Sequence, residues 1–162
     1  MADYDDDYSF DGLDELYKTA EQLPEVERFD VYAHQDEIDE WEEIPYRDSL
    51  WTDDGRATGV VSSSEDFYNV IQYGDILGTV ADAIDQHEDV EPSGSVSLSP
   101  TAHKMAASID FDGTTAYADE EDPVNLGLGI RSGHSGYHAL KYDVSAEREV
   151  CSNGMTAFVS EL

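Results

Sequence analysis

The chain predicts an α+β fold: an antiparallel sheet of about five strands, one main amphipathic helix and a further N-terminal helix. Three observations lead there. Apolar residues recur at three- and four-residue spacing in two stretches, residues 11–25 and 74–90. After Pro92 the text breaks into short runs of alternating apolar and polar residues. Between two of those runs stands Asp112-Gly113, a dipeptide suited to the left-handed backbone of a tight hairpin turn.

Taken in order, residues 1–10 (MADYDDDYSF) read as a mobile acidic terminus, because like charges at that density oppose compaction. The rest, 11–162, is one domain's length and long enough to bury a core. In DGLDELYKTAEQLPE the apolar stripe Leu13, Leu16, Tyr17, Ala20 and Leu23 predicts the first helix, which Pro24 ends. FDVYA is a short strand candidate, and the acidic run DEIDEWEEI is assigned to a helical turn or a loop. Asp53-Asp54-Gly55 turns the chain into RATGVVS, whose small and β-branched residues suit a strand. The main helix follows a polar break, with Ile76, Leu77, Val80, Ala81 and Ile84 on one side. The sheet segments are then SVSLS, HKMAASIDF, TTAYA beyond the Asp-Gly turn, VNLGLGIRS, YHALKYDVS and REVCS.

Charge is the most unusual property. There are 38 acidic residues against 8 basic ones, a formal net charge of −30, yet 40% of the chain is hydrophobic. That apolar content points to a folded domain and not to an acidic tail. Two explanations compete. One is adaptation to molar salt, where the Debye length is about 3 Å and self-repulsion is screened. The other is mimicry of DNA, with carboxylates standing in for phosphates. Eighteen of the acids lie in the first 50 residues, which suits mimicry; the scatter of the others suits salt.

The lone Cys151 permits no internal disulfide, no apolar run reaches the length of a membrane span, and the N-terminal residues have no secretory pattern. The expected location is the cytoplasm of a halophile, with no membrane partner. The sequence contains no GxxxxGK[ST], GxSxG, HExxH or zinc-type cysteine set. No metal or cofactor is expected, and no residue is assigned a catalytic role. Asp110, Asp112 and the acids of 119–122 lack the spacing of a calcium loop.

Against this acidity, two windows without any acid stand out: Pro92 to Ile109 and Pro123 to Tyr142. Alternation in the second puts Val124, Leu126, Leu128 and Ile130 on a core face, with Asn125, Gly127, Gly129 and Arg131 opposite. Continued through the next strand, alternation makes His138 core-facing. The segment Ser132-Gly133-His134-Ser135-Gly136 must turn between strands, and small residues let backbone amides face an anion. Arg131, Ser132, His134, Ser135, Gly136, Tyr137 and Lys141 are therefore the candidate nucleic-acid or anion-binding residues. The alternative is a Gly/Ser hairpin with solvated side chains. His103-Lys104, in the other window, reads more simply as surface, and Cys151 as packed.

The motifs IPYRDSLWTDDGRATGVVS, FYNVIQYGDIL, SGHSGYHALKYDVS and REVCSNGM, in this order over residues 44–156, resemble the phage/plasmid-like proteins that share a domain of unknown function. The residues that match are Gly59 and Ser62, Tyr68 and Gln72, Ser132 to Gly136, and Cys151 with Asn153. The low-lysine, Asp-rich composition is similar to haloarchaeal versions, which implies a plasmid or virus of a salt-loving archaeon. Members often continue into a further helical region, whereas this chain stops at Leu162, as a short or a truncated member would. The resemblance implies no catalytic residues.

The function expected from these readings is that of an accessory protein of a mobile element, binding single-stranded nucleic acid in replication or recombination. Tyr137 and Tyr142 would supply stacking surfaces. The alternative is a protein-interaction module: a virion or assembly component, or an acidic mimic that occupies a host DNA-binding protein. Glycine-faced strands also suit a homo-oligomer edge.

Overall fold

The computed structural model describes residues 6–119, 122–150 and 155–159. The elements run β1 (Asp6–Asp11), α1 (Leu13–Gln22), β2 (Val26–Gln35), β3 (Glu40–Thr52), β4 (Ala57–Ser62), α2 (Tyr73–Asp85), β5 (Glu91–Leu98), β6 (Lys104–Asp119), β7 (Asp122–Gly133), β8 (Lys141–Val150) and β9 (Met155–Val159). The fold is α+β, as the sequence predicts. The strands form two sheets: one of six in the order β1-β5-β6-β7-β8-β9 and one of three in the order β2-β3-β4. All their pairings are antiparallel.

Both helices lie where the apolar stripes place them, and they cover one face of the large sheet. Leu16 and Ala20 of α1 and Tyr73, Ile76, Leu77, Ala81 and Ile84 of α2 pack in one core with Val96 and Leu98 of β5, Met105, Ala107 and Ile109 of β6, and Ile130 of β7. A fully buried Leu or Ile contributes roughly 1.5–3 kcal/mol relative to exposure, so this cluster supplies most of the driving force for folding. The opposite sheet face carries small and polar residues, with Ser95, Ser108, Asp110 and Asn125 exposed.

Four expectations need correction. Residues 6 to 10, read as part of a mobile acidic end, form β1 instead and pair with β5 through the register Tyr8↔Val96 and Phe10↔Gly94. Two interactions overcome the charge. Alternation sends Phe10 into the core with Tyr8 packed beside it, and Asp6 is neutralised by Arg56 at 2.6 Å. The acidic run DEIDEWEEI is neither helix nor loop as a whole: residues 36–39 turn the chain and Glu40 onward belongs to β3, held by backbone pairing to β2.

The third correction concerns Asp112-Gly113. No hairpin forms there; β6 runs on to Asp119, and the dipeptide falls at a register shift between Phe111↔Leu126 and Thr115↔Asn125. Asp-Gly accommodates a bulge as readily as a turn, and the long partner strand β7 decides between them. The fourth is that YHALKYDVS is not one strand, because β8 begins only at Lys141. From Lys141 onward its sides are as alternation predicts, with Arg131↔Lys141 and Ile130↔Tyr142 in register.

At Gly94 strands β5 and β6 approach too closely for any side chain. A Cβ on Gly94 would stand 2.0 Å from the Ser108 carbonyl oxygen. Gly94→Ala is expected to push β5 away from β6 and cost at least about 1–3 kcal/mol. Ser95→Ala, at an exposed position beside it, should stay within about 0.5 kcal/mol. Urea denaturation of both variants checks the difference.

Candidate functional site

The two acid-free windows meet at one end of the large sheet. Lys104 opens β6 opposite Gly133, and Arg131 pairs with Ala106 on one side and Lys141 on the other. Around them is a cavity of about 410 Å³ lined by Lys104, Met105, Arg131, Ser132, Tyr137, His138, Ala139 and Lys141. Three of the chain's eight Lys and Arg residues therefore line one pocket.

These cations lack strong partners. Arg131 has one carboxylate nearby, Asp143 at 3.8 Å, and both side chains are largely exposed. An ion pair of that kind is worth about 0–1 kcal/mol. Lys104 and Lys141 have no ion pair among the described residues. Arg131 and Lys141 sit directly opposite each other across the strands, a like-charge arrangement that costs stability unless an anion lies between them. The concentration of charge is also felt by His103, held below the usual histidine range first by burial and then by Lys104 and His138.

Arg28 and Arg56, by contrast, are committed to structure. Arg28 donates to Asp48 at 2.9 Å and to the carbonyls of Ser62 and Tyr68 at 2.9 and 2.6 Å, tying β2 to β3, to the end of β4 and to the segment after it. Arg56 is gripped by Asp54 and Asp6, both at 2.6 Å. Lys104, Arg131 and Lys141 are not tied up in this way.

His134 and His138 exchange the places expected from sequence. His134 is buried, with 1% of its surface exposed, while His138 is exposed in the pocket wall. His134 therefore contacts no guest in the pocket. Its Nε2 donates to the Ile71 carbonyl at 2.9 Å, and its ring stacks on Tyr73 with centroids 4.0 Å apart. Because Ile71 oxygen can only accept, Nε2 carries the proton and Nδ1 is the bare nitrogen, buried without a partner. Burial holds His134 below the ordinary histidine value of 6.5, the bond to Ile71 opposing this in part, so the ring is neutral.

The loop that carries His134 is packed against the second sheet. A Cβ on Gly59 would lie 3.0 Å from the His134 carbonyl oxygen and from Ser135 Cα, and Tyr68 donates its hydroxyl to the Gly133 carbonyl at 3.3 Å. Gly136 turns the chain with φ +74°, a conformation costly for other residues. Gln72 brackets Val26, accepting from its N–H and donating to its carbonyl, both at 2.9 Å. Ser62 accepts from Ser64 N–H through its hydroxyl and from Arg28 through its carbonyl. Thus Gly59, Ser62, Tyr68 and Gln72, together with His134, Ser135 and Gly136, build the junction between the sheets. Cys151 and Asn153 lie outside the described residues.

Of the candidate binding residues, the fold brings Arg131, Ser132, Tyr137 and Lys141 to the pocket and turns His134 away. Sequence reasoning undervalued Lys104 and misplaced His138. The signal that could have found both is the shared absence of acids in the two windows. No group of three His, Cys, Asp or Glu among the described residues could hold a metal ion, and no helix among them is long and apolar enough to cross a membrane. No family model, curated protein or solved structure matches the chain.

His134 has a measurable consequence. Below pH 6.5 an unfolded histidine takes a proton that the buried ring resists, so the folded state loses stability as pH falls from 6.5 toward the lower folded value. His134→Phe keeps the stacking surface but strands the Ile71 carbonyl, and should cost about 1–3 kcal/mol at pH 8. The gap between wild type and variant is expected to narrow as the pH drops from about 6.5 to 5, as urea denaturation at each pH will measure.

Proposed function

We propose that the protein binds single-stranded nucleic acid through the Lys104, Arg131 and Lys141 pocket, as a non-catalytic accessory factor in replication or recombination of a mobile element. The observation that carries this reading is the gathering of three cations without strong partners, around a cavity large enough for a phosphate, in a chain of net charge −30. Tyr137, 89% exposed at its rim, offers a face for a base. Stacking of this kind is worth about 1–3 kcal/mol per base and tolerates any sequence.

The acidity of the remainder is the obvious objection, since its field repels DNA. In molar salt that field decays within about 3 Å, so distant carboxylates count for little while groups in contact still count. Counterion release also weakens under those conditions, which leaves direct hydrogen bonds from Arg131 and stacking on Tyr137 as the main contributions. Such a site fits a salt-loving host and the resemblance to phage- and plasmid-borne proteins, with the cytoplasm as its location.

The second reading is a protein-interaction module, either an assembly component or an acidic mimic. What supports it, as an interaction module more than as a mimic, is the arm formed by β2 and β3, where Tyr32 and Trp41 are exposed on one face. Beyond the irregularity at Asp30 and Tyr32, the register puts Glu40 and Glu42 on one side and Tyr32, His34, Trp41 and Glu43 on the other.

Fluorescence anisotropy in molar KCl with labelled single-stranded DNA, duplex DNA and RNA distinguishes the two. Single strands should bind best. Arg131→Ala and Tyr137→Ala should each weaken that binding by roughly five- to a hundredfold. Absence of binding to all three by the folded protein would overturn the nucleic-acid reading and favour the module.

A further inference from the structure

A second pocket lies on the small sheet. Register sorts its side chains into two faces. Val26, Thr52, Leu50 and Val61 are buried on one, whereas Phe29, Trp51 and Val60 on the other are 49%, 42% and 51% exposed. Trp51 sits across from Glu27 and diagonal to Phe29, and its Nε1 donates to Ser49 Oγ. At the end of this strip is a cavity of about 480 Å³ lined by Glu27, Phe29, Trp51, Thr52, Asp53 and Gly55.

The walls of this cavity define its guest. Two aromatic residues, Phe29 and Trp51, and two acidic residues, Glu27 and Asp53, line it. Glu27 and Asp53 have no cationic partner among the described residues. The nearby Arg56 does not fill the gap, because Asp54 and Asp6 already hold it. Aromatic faces attract organic cations through the ring quadrupole, and a planar guanidinium stacks on indole while its edge hydrogen-bonds carboxylates. Acidity is general in this chain; what sets the pocket apart is Trp51, hydrogen-bonded to Ser49, beside Phe29. The exposed Val60 extends the apolar strip past the cavity, giving room for the backbone around such a cation.

We propose that this pocket receives an arginine side chain from an extended segment of a partner protein. The partner is basic, complementary to the net charge of −30, and the arginine is its anchor. The inference goes beyond nucleic-acid binding and involves none of the same residues.

Trp51 reports on its own site. The chain contains two tryptophans, so Trp41→Phe leaves Trp51 as the sole tryptophan, and excitation at the red edge of the absorption band reads it apart from the tyrosines. A short peptide of glycine, serine and two arginines is titrated in 1 M KCl, where nonspecific attraction is screened to about 3 Å. A saturable change in Trp51 emission is expected, at least about tenfold weaker when citrulline replaces arginine and similarly weakened by Phe29→Ala or Glu27→Gln. Circular dichroism verifies folding; should Phe29→Ala not fold, the exposed Glu27→Gln variant carries the test. The proposal fails if emission does not saturate, if the citrulline peptide binds equally well, or if the folded variants bind arginine unchanged.

Discussion

The position of one side chain organises the junction between the two sheets. His134 follows β7 directly, and where a hairpin residue would point to solvent it turns inward, stacks on Tyr73 and bonds the Ile71 carbonyl. Tyr73 is in turn anchored by its hydroxyl to the Ala102 carbonyl at 3.0 Å, so the histidine ties the β7–β8 loop to the start of α2 and to the turn before β6. Close packing leaves little tolerance at such a point, which is why Gly59 meets the loop with no side chain of its own. Once His134 is committed inward, residues 135–140 cannot alternate as a strand. They run as an irregular loop, exposing Tyr137 and His138 beside the cations.

The electrostatic arrangement follows from the same economy of positive charge. With 8 basic residues against 38 acidic ones, every cation has many carboxylates to choose from. Arg28 and Arg56 are used as multidentate struts, their planar forks joining segments far apart in sequence. Arg56 also lets the acidic start of the described chain join the sheet, by meeting Asp6. Arg131 and Lys141 are instead held side by side at the end of the sheet, with Lys104 across the same cavity. Two like charges directly opposite each other across neighbouring strands cost stability, so nothing in the packing itself favours that placement.

Much of the fold was legible, and the failures have identifiable causes. Both helices were visible because each buries a stripe of its own, and the stripe depends only on the helical period: Leu16 and Ala20 in α1, Ile76 to Ile84 in α2. The second sheet was hidden. The distal parts of β2 and β3 are exposed on both sides and show no alternation for a reader to detect. At Asp112-Gly113 a local turn signal gave way to a long-range pairing, and at residues 6–10 a charge rule gave way to Phe10 and Arg56. Of the site, Arg131, Ser132, Tyr137 and Lys141 were found, because an acid-free stretch in so acidic a chain is a compositional signal that needs no structure.

By itself, the sequence determined the fold class, the two helices, the core face of β7 and the region where positive charge collects. All of these are properties of period and composition, written within a dozen or so neighbouring residues. Only the tertiary structure decided which histidine is buried, that Lys104 joins Arg131 and Lys141, and that Glu27, Phe29, Trp51 and Asp53 surround one cavity. Those outcomes depend on register between strands and on a side chain filling a gap that distant segments create, and neither leaves a trace in local pattern.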